Sequence, residues 1–543
     1  MRWLAAAAMM AVAMPAAALA VDLHRGGTLH LTASSGVDTL DPQISYNSQS
    51  TELFAAVYDG LATFPKAAGA DNAVADLAEA LPVPTDAGRT YRFILRPGIR
   101  FSNGQSLTVD DVAASLRRIF KAGSPTAGSF YGNIVGAQAC LRSPADCTLA
   151  GGVVTDPAIR GITIRLVHAD PEFLDKLAWT HASILPASAP PHDAGDTPLP
   201  GTGAYRIVSY DPHHGMLLDR NPYFHEWDAV AQPDGHVDRI RLDYGLDEEA
   251  EITAIENGQF DWMYENKPLD RLGEIAGRYT AQVHVFDLPS LYYLAMNTRQ
   301  PPFDRLAARQ AVNLAVDRRA AVLFMGGPGA MLPACTMLPR GITGHVPDCP
   351  SLGAGSPDRL RPDPVRARAL VAASGTRGMR VILVVNASRN EDALGENLRE
   401  TLSRIGWDAE VRSITPAVQF NYIQNSANKV QISLTGWDAD YPGPADFLQV
   451  LFDCRNIHPG SNSSINISAF CDPAVQAMFD RANATPDTVS RAALWSAIDR
   501  RVMEQSPVAP LVQRRYVDFV SRRLGHYVNA GIYHMLFSQV WVQ

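Results

Sequence analysis

The sequence predicts an α/β protein built from several units, and three observations carry that prediction. Residues 380–414 read as strand, helix, strand, and residues 90–119 read as strand, turn, helix. The length of 543 residues is between three and four times a typical domain of roughly 150.

Taken from the amino terminus, Arg2 precedes an apolar stretch from Leu4 to Ala13, and Ala18-Leu19-Ala20 forms a small-x-small site. This is the layout of a secretory signal cleaved after Ala20. The stretch is too short for a bilayer of about 30 Å, and no later run reaches the roughly 18 apolar residues of a membrane span. With no cysteine beside the cleavage site, the expected product is a free periplasmic protein without a lipid anchor.

The alternation in Thr28-Leu29-His30-Leu31-Thr32 predicts a strand, as does Thr90 to Leu95. Pro97-Gly98 and Asn103-Gly104 then mark turns, and Thr108 with Asp110 and Asp111 marks a helix start ahead of Val112, Leu116 and Ile119. The Thr108 hydroxyl can accept a first-turn N–H, and the two acids meet the positive end of the helix dipole. Prolines crowd 186–200 without periodicity, which predicts a connection between units with a boundary near 195. Ile252 to Gly258 reads as a helix closed by glycine, and Asp304 to Phe324 as one longer helix. Residues 325–364 are rich in Gly and Pro. Beyond them come a strand at 380–385, a helix at 391–405 and a strand at 408–414.

Six cysteines fall as three neighbouring pairs, Cys140 with Cys147, Cys335 with Cys349, and Cys454 with Cys471. Fifteen connectivities are open to six cysteines; pairing of neighbours needs the least chain closure and suits an oxidising compartment. None of the spacings is of the zinc-binding kind. Hydrophobic residues at 46% and charged residues at 19% exclude a disordered chain, and a net charge of −9 argues against nucleic acid as a partner. There is no G-x-S-x-G elbow, H-E-x-x-H helix, Walker A or dinucleotide-binding glycine pattern, so no enzyme and no cofactor are predicted. His213-His214 is the closest histidine pair, but neighbours in a strand point oppositely and a surface turn after Pro212 is expected instead of a metal site. His458 and His534 fit no metal motif either.

Several blocks in one order carry a resemblance: Thr39-Leu40-Asp41-Pro42, Tyr58-Asp59-Gly60-Leu61, the run from Thr90 to Val112, Gly201-Thr202-Gly203-Ala204-Tyr205, Arg220-Asn221-Pro222-Tyr223, and Asn297 to Asp317 with its PPF and RQA elements. Together they resemble the extracellular solute-binding proteins of the oligopeptide, dipeptide and nickel type, receptor subunits of importers driven by ATP hydrolysis. The resemblance implies a two-lobed periplasmic binding protein (type II, cluster C-like) with an extra accessory domain. The first lobe would be 22–45, 197–285 and 515–543, the accessory domain 46–196, and the second lobe 286–514. It implies a monomeric receptor that closes on a peptide or other small organic ligand and hands it to the membrane subunits of an ABC permease, with a signalling or chaperone role as the alternative.

Gly436-Trp437-Asp438-Ala439-Asp440-Tyr441-Pro442 looks like the family's ligand motif. In peptide-binding members the aspartate at the position of Asp440 receives the ligand's ammonium. A carboxylate in a closed cleft suits that task, since its attraction for a cation strengthens as water leaves. Trp437 and Tyr441 are expected to wall the site, with Asp438 beside it and Tyr46 and Asn47 contributed by the other lobe. Asp438-x-Asp440-x-Pro442 is not a calcium loop, because Pro442 and Gln449 stand where ligands are required. Of the aromatic pairs, Trp262 and Tyr264 are expected in the core, and one of Tyr292 and Tyr293 should face inward. No basic residue precedes Trp437 at the place where several peptide receptors meet the ligand's carboxylate. The expected ligands are therefore longer peptides held by their backbone, or opines, sugar conjugates and other amines.

Overall fold

A computed structural model describes residues 24–33, 36–46, 48–67, 72–264, 271–347, 349–350, 360–462 and 464–543. The signal segment 1–20 and Asn47 lie outside the described residues. Among those described, no helix is long and apolar enough to cross a membrane.

Two large sheets organise the chain. The first has five strands in the order Trp262–Met263, Thr28–Ala33, Arg239–Tyr244, Gly215–Arg220 and Tyr205–Asp211. Its core gathers Leu29, Leu31, Tyr205, Leu218, Ile240 and Trp262. Trp262 and Tyr264 are both buried in it, as the core reading required. In the second sheet the main path runs Val283–Asp287, Val508–Phe519, Ser290–Met296, Ile432–Asp438, Arg380–Asn386 and Asp408–Ile414. Apolar clusters cover both of its faces, one against the helices Leu306–Ala315 and Arg389–Ile405, the other against Pro444–Phe452 and Thr488–Gln505. Strands wrapped on both faces are apolar throughout; the predicted strands at 380 and 408 are observed, parallel to each other.

The strand Val508–Phe519 lies in the second sheet and leads directly to the first. Its first part pairs with Ser290–Met296, its last part with Val283–Asp287, and Val520 then bridges to Trp262 of the first sheet. We call it the hinge strand. Pro510 in its interior has no N–H to give a ladder, and the register shifts between Tyr292 and Tyr293 opposite it. The carbonyl of Pro510 accepts instead from Arg318 Nε at 2.8 Å.

A smaller antiparallel sheet, Thr90–Ile94, Gly161–Arg165 and Val153–Asp156, forms a third unit under the helix Val109–Lys121. Thr108 caps that helix as predicted, in a reciprocal box with Asp111. The blocks that carried the resemblance tie this unit to the first sheet. Arg118 clamps buried Asp41, and Gly201 and Gly203 admit no side chain, since a Cβ would lie 2.0 Å from the Val57 carbonyl and 2.5 Å from that of Ala56. Asp59 accepts from Thr202 at 2.6 Å and Gln232 at 2.5 Å, Lys66 donates to Gln232 at 2.6 Å, and Trp227 donates to Asp76 at 3.0 Å.

One expected element is wrong. The single helix over 304–324 is two, Leu306–Ala315 and Arg318–Phe324. Val316 is extended (φ −68°, ψ 132°), and Asp317 caps the second helix by accepting from the N–H groups of Arg319 and Ala320. An aspartate inside an apolar-periodic run was the stop signal that periodicity alone hid.

All six cysteines are bonded, as Cys140–Cys147, Cys335–Cys349 and Cys454–Cys471. The middle bridge closes a sequence separation of 14. Serine at both of its positions is expected to lower unfolding stability by about 3 kcal/mol, read from urea titration against the parent chain. No change in the urea midpoint would show that the loop is held by packing alone.

Candidate functional site

The strand Ile432–Asp438 ends at the edge of the second sheet, and residues 439–443 lead into the helix Pro444–Phe452. Proline at the first helical position starts that helix without losing a hydrogen bond. Asp446 in its first turn is fully buried, and its Oδ2 accepts from the Asp440 N–H at 3.0 Å and from Trp437 Nε1 at 3.2 Å. One carboxylate thereby fixes the whole connection.

Asp440 is 5% exposed. Its Oδ2 accepts from Tyr46 Oη at 2.5 Å, across the interval from the segment that precedes the helix Ser48–Val57. Beside this bond the third unit touches the same connection. Phe130 meets the Tyr441 ring edge-on at 5.5 Å, Lys176 Nζ lies 5.9 Å above that ring, and Glu172 accepts from the Ala445 N–H at 3.4 Å. Lys176 itself pairs with Asp170 at 2.7 Å.

Three carboxyls thus meet in one dry contact. Burial pushes Asp440 up to about 7, with the Tyr46 hydrogen bond opposing and Asp438 adding. Burial and then the charge of Asp440 raise Asp446 well above the usual carboxylate range. Burial lifts Glu172 to about 8 against the pull of Lys176. Such a cluster is poised to take up protons or a cation.

The expected walls are placed differently. Trp437 packs among Phe447, Leu448 and their neighbours, and Tyr441 is wholly enclosed against the third unit. Neither ring lines a cavity of the second lobe described below. Trp437 shares the Asp446 carboxylate with the Asp440 N–H, and Tyr441 packs against Phe130. Of Tyr292 and Tyr293, the second is buried and the first faces a cavity, the alternation that strand geometry requires. His213 and His214 sit on a surface turn. His534 is buried against Glu52, and among the described residues no group of three or more His, Cys, Asp or Glu is close enough to hold a metal.

Asp438 turns away from Asp440. It pairs with Arg514 at 2.5 Å, and the Arg514 guanidinium lies 5.8 Å over the Tyr292 ring. Two cavities, about 210 and 230 Å³, share Tyr292 and Arg514 as lining. Ser388 and Glu391 are among the residues that line the first; Gln419, Gly436 and Asp438 are among those that line the second. Arg514, on the hinge strand, is a basic residue lining both cavities that the sequence reading did not single out. Its signal is the adjacent pair Arg514-Arg515 in the mostly apolar run from Val508 to Phe519, because neighbouring side chains in a strand leave it on opposite faces.

The sequence profile of the bacterial extracellular solute-binding proteins, family 5 (middle region), matches residues 72–459. The chain is similar to the probable di/tripeptide-binding protein 5 of Pseudomonas aeruginosa (strain UCBPP-PA14), 25% identical over 86% of this chain and 87% of that one. It is also similar to the periplasmic oligopeptide-binding protein OppA of Escherichia coli (strain K12), 24% identical over 94% of this chain and 92% of that one. Among solved structures, the clavulanic acid biosynthesis oligopeptide binding protein 2 superposes with a TM-score of 0.84, at 26% identity and 96% coverage of both chains.

Proposed function

This chain belongs to the bacterial extracellular solute-binding proteins of family 5, and from that premise we propose that it captures a peptide or peptide-like amine between its lobes and delivers it unaltered to an ABC permease. The observation that carries the reading is the bond from Tyr46 to Asp440, a buried carboxylate held between the two halves of the molecule. A ligand ammonium brings three donors and a positive charge to a place where three carboxyls are short of cations. Relatives named for di/tripeptides, oligopeptides and glutathione support a peptide-like solute. The same reading makes residues 1–20 an export signal and the mature protein a free periplasmic monomer that performs no catalysis.

Closure needs a ligand that contacts both lobes in the closed form and binds the open form less well. Such a ligand also stabilises the fold, by about 2.7 kcal/mol at 100 times its Kd. Native mass spectrometry of protein purified from its host is expected to show a retained peptide-sized mass. Adding that compound to stripped protein should raise its melting temperature and reduce its radius of gyration. A retained compound that leaves the protein chemically altered, or one that shifts neither quantity, overturns the reading.

A further inference from the structure

The buried arginines of this protein divide by how fully their guanidinium donors are used. In Arg118, Nε donates to the Pro190 carbonyl, Nη1 to Asp41 and Gln43, and Nη2 to Asp41 and the His192 carbonyl. Arg318 gives Nε to two carbonyls and its remaining nitrogens to Asn313. Arg309 gives all three nitrogens to the carbonyls of Phe303 and Gln505. These three are saturated and structural.

Arg514 is different. Its Nη2 donates to Asp438 Oδ2, and its Nε is shielded from solvent with no acceptor among the described residues. An arginine fork matches a carboxylate best with two parallel bonds, and a shielded donor without an acceptor is costly. Beyond its side-chain hydrogen bond with Tyr292, the guanidinium has Asp438 as its carboxylate partner, and that side chain is 43% exposed and stands at the end of its strand, two residues from Asp440. It is free to be displaced. The Tyr292 ring beneath the guanidinium holds the cation in place while its partner changes.

We propose that Arg514 is an anion-binding, specificity-determining residue, at which a carboxylate of the solute entering from the cavity beside Gly436 replaces Asp438 on the guanidinium. The proposal rests on the reading of the cleft as a site for a peptide-like solute and narrows it: the solute carries an anionic group as well as an amine. Asp438 then acts as an internal competitor. It keeps the arginine paired when the site is empty, and it sets how strong an incoming anion must be. Glu391, in the other cavity, does not compete, since its two oxygens are engaged by the N–H and Nδ2 of Asn386, each at 3.0 Å.

The two residues should therefore respond in opposite directions, which a shared structural role would not produce. Calorimetry with alanyl-phenylalanine and with its C-terminal amide reads both. The parent protein should bind the acid at least about tenfold more tightly than the amide; Arg514→Gln should reduce that preference to about threefold or less; and Asp438→Asn should tighten the acid about threefold or more and widen the preference for acid over amide. Equal affinity of the parent for acid and amide, or weaker acid binding by Asp438→Asn, overturns the proposal. Should Arg514→Gln not fold, the Asp438→Asn comparison decides alone. Should neither peptide form bind, that peptide is not the solute, and glutarate decides. A melting-temperature rise with glutarate that is larger in Asp438→Asn supports the anion site even so, and no rise in either protein overturns it.

Discussion

Asparagine in place of Asp440 is expected to weaken binding of an amine-bearing solute between about 30-fold and 1,000-fold, the loss that follows when one partner of a buried charge pair is removed, about 2–4 kcal/mol. The same substitution should stabilise the empty protein at neutral and alkaline pH. The Asp440 carboxyl is pushed up to about 7 by burial, so its protonated form is the one the fold favours. A group raised in the folded state contributes its stability fully below its ordinary value and loses it as pH rises toward the raised one. Between pH 4 and 7 the parent protein should therefore lose stability that the asparagine variant keeps. The gap reaches about 2 kcal/mol above pH 7, less than the full shift implies because Asp446 shares the burden. For the parent, solute affinity should fall as pH drops below 7, because the ammonium must displace a proton. Calorimetry and thermal melts at pH 4.5 and 8 test both halves. Unchanged affinity removes Asp440 from the site, and a stability gain of equal size at both pH values removes the titration argument.

Methionine in place of Lys66 is the second large effect, on stability alone. Lys66 is 2% exposed, with its ammonium 3.9 Å from Asp59 and bonded to Gln232. Burial pushes the Asp59 and Asp76 carboxyls up and the lysine down, and the three groups offset one another. Without the cation the two carboxylates stay buried and uncompensated, a loss of about 3–5 kcal/mol. Urea unfolding at pH 7.5 should show it. The deficit should shrink at pH 5, because both carboxyls are raised and protonation removes their penalty as pH falls. Solute affinity of the folded fraction should be unaffected, since this cluster lies between the first sheet and the third unit. A deficit that is the same at both pH values would show that lost packing, not unpaired charge, sets the cost.

Much of this molecule was readable from local chemistry. Thr108 with Asp111 announced a helix, the strands at 90, 380 and 408 announced themselves by composition, and the glycines of Gly201-Thr202-Gly203 had a steric reason. Asp440 was singled out only by the likeness of its block to the family's ligand motif; the structure places it against Tyr46. What stayed hidden was made by pairing across long separations. Arg514 meets Asp438 only because the hinge strand and the strand Ile432–Asp438 both flank Ser290–Met296, and nothing near Trp437 in sequence reports that. Trp437 and Tyr441 looked like walls because aromatic rings beside an aspartate suit a cation; Asp446 and Phe130 instead claim them from the back. The break at Val316 escaped because an apolar period survives it unchanged.

The segment from 508 to 519 is inserted between strands made more than two hundred residues earlier and then continues to Val520, which bridges to the first sheet. Until that piece has been synthesised, the strands Val283–Asp287 and Ser290–Met296 lack the neighbour that joins them. A chain wired this way postpones its own completion.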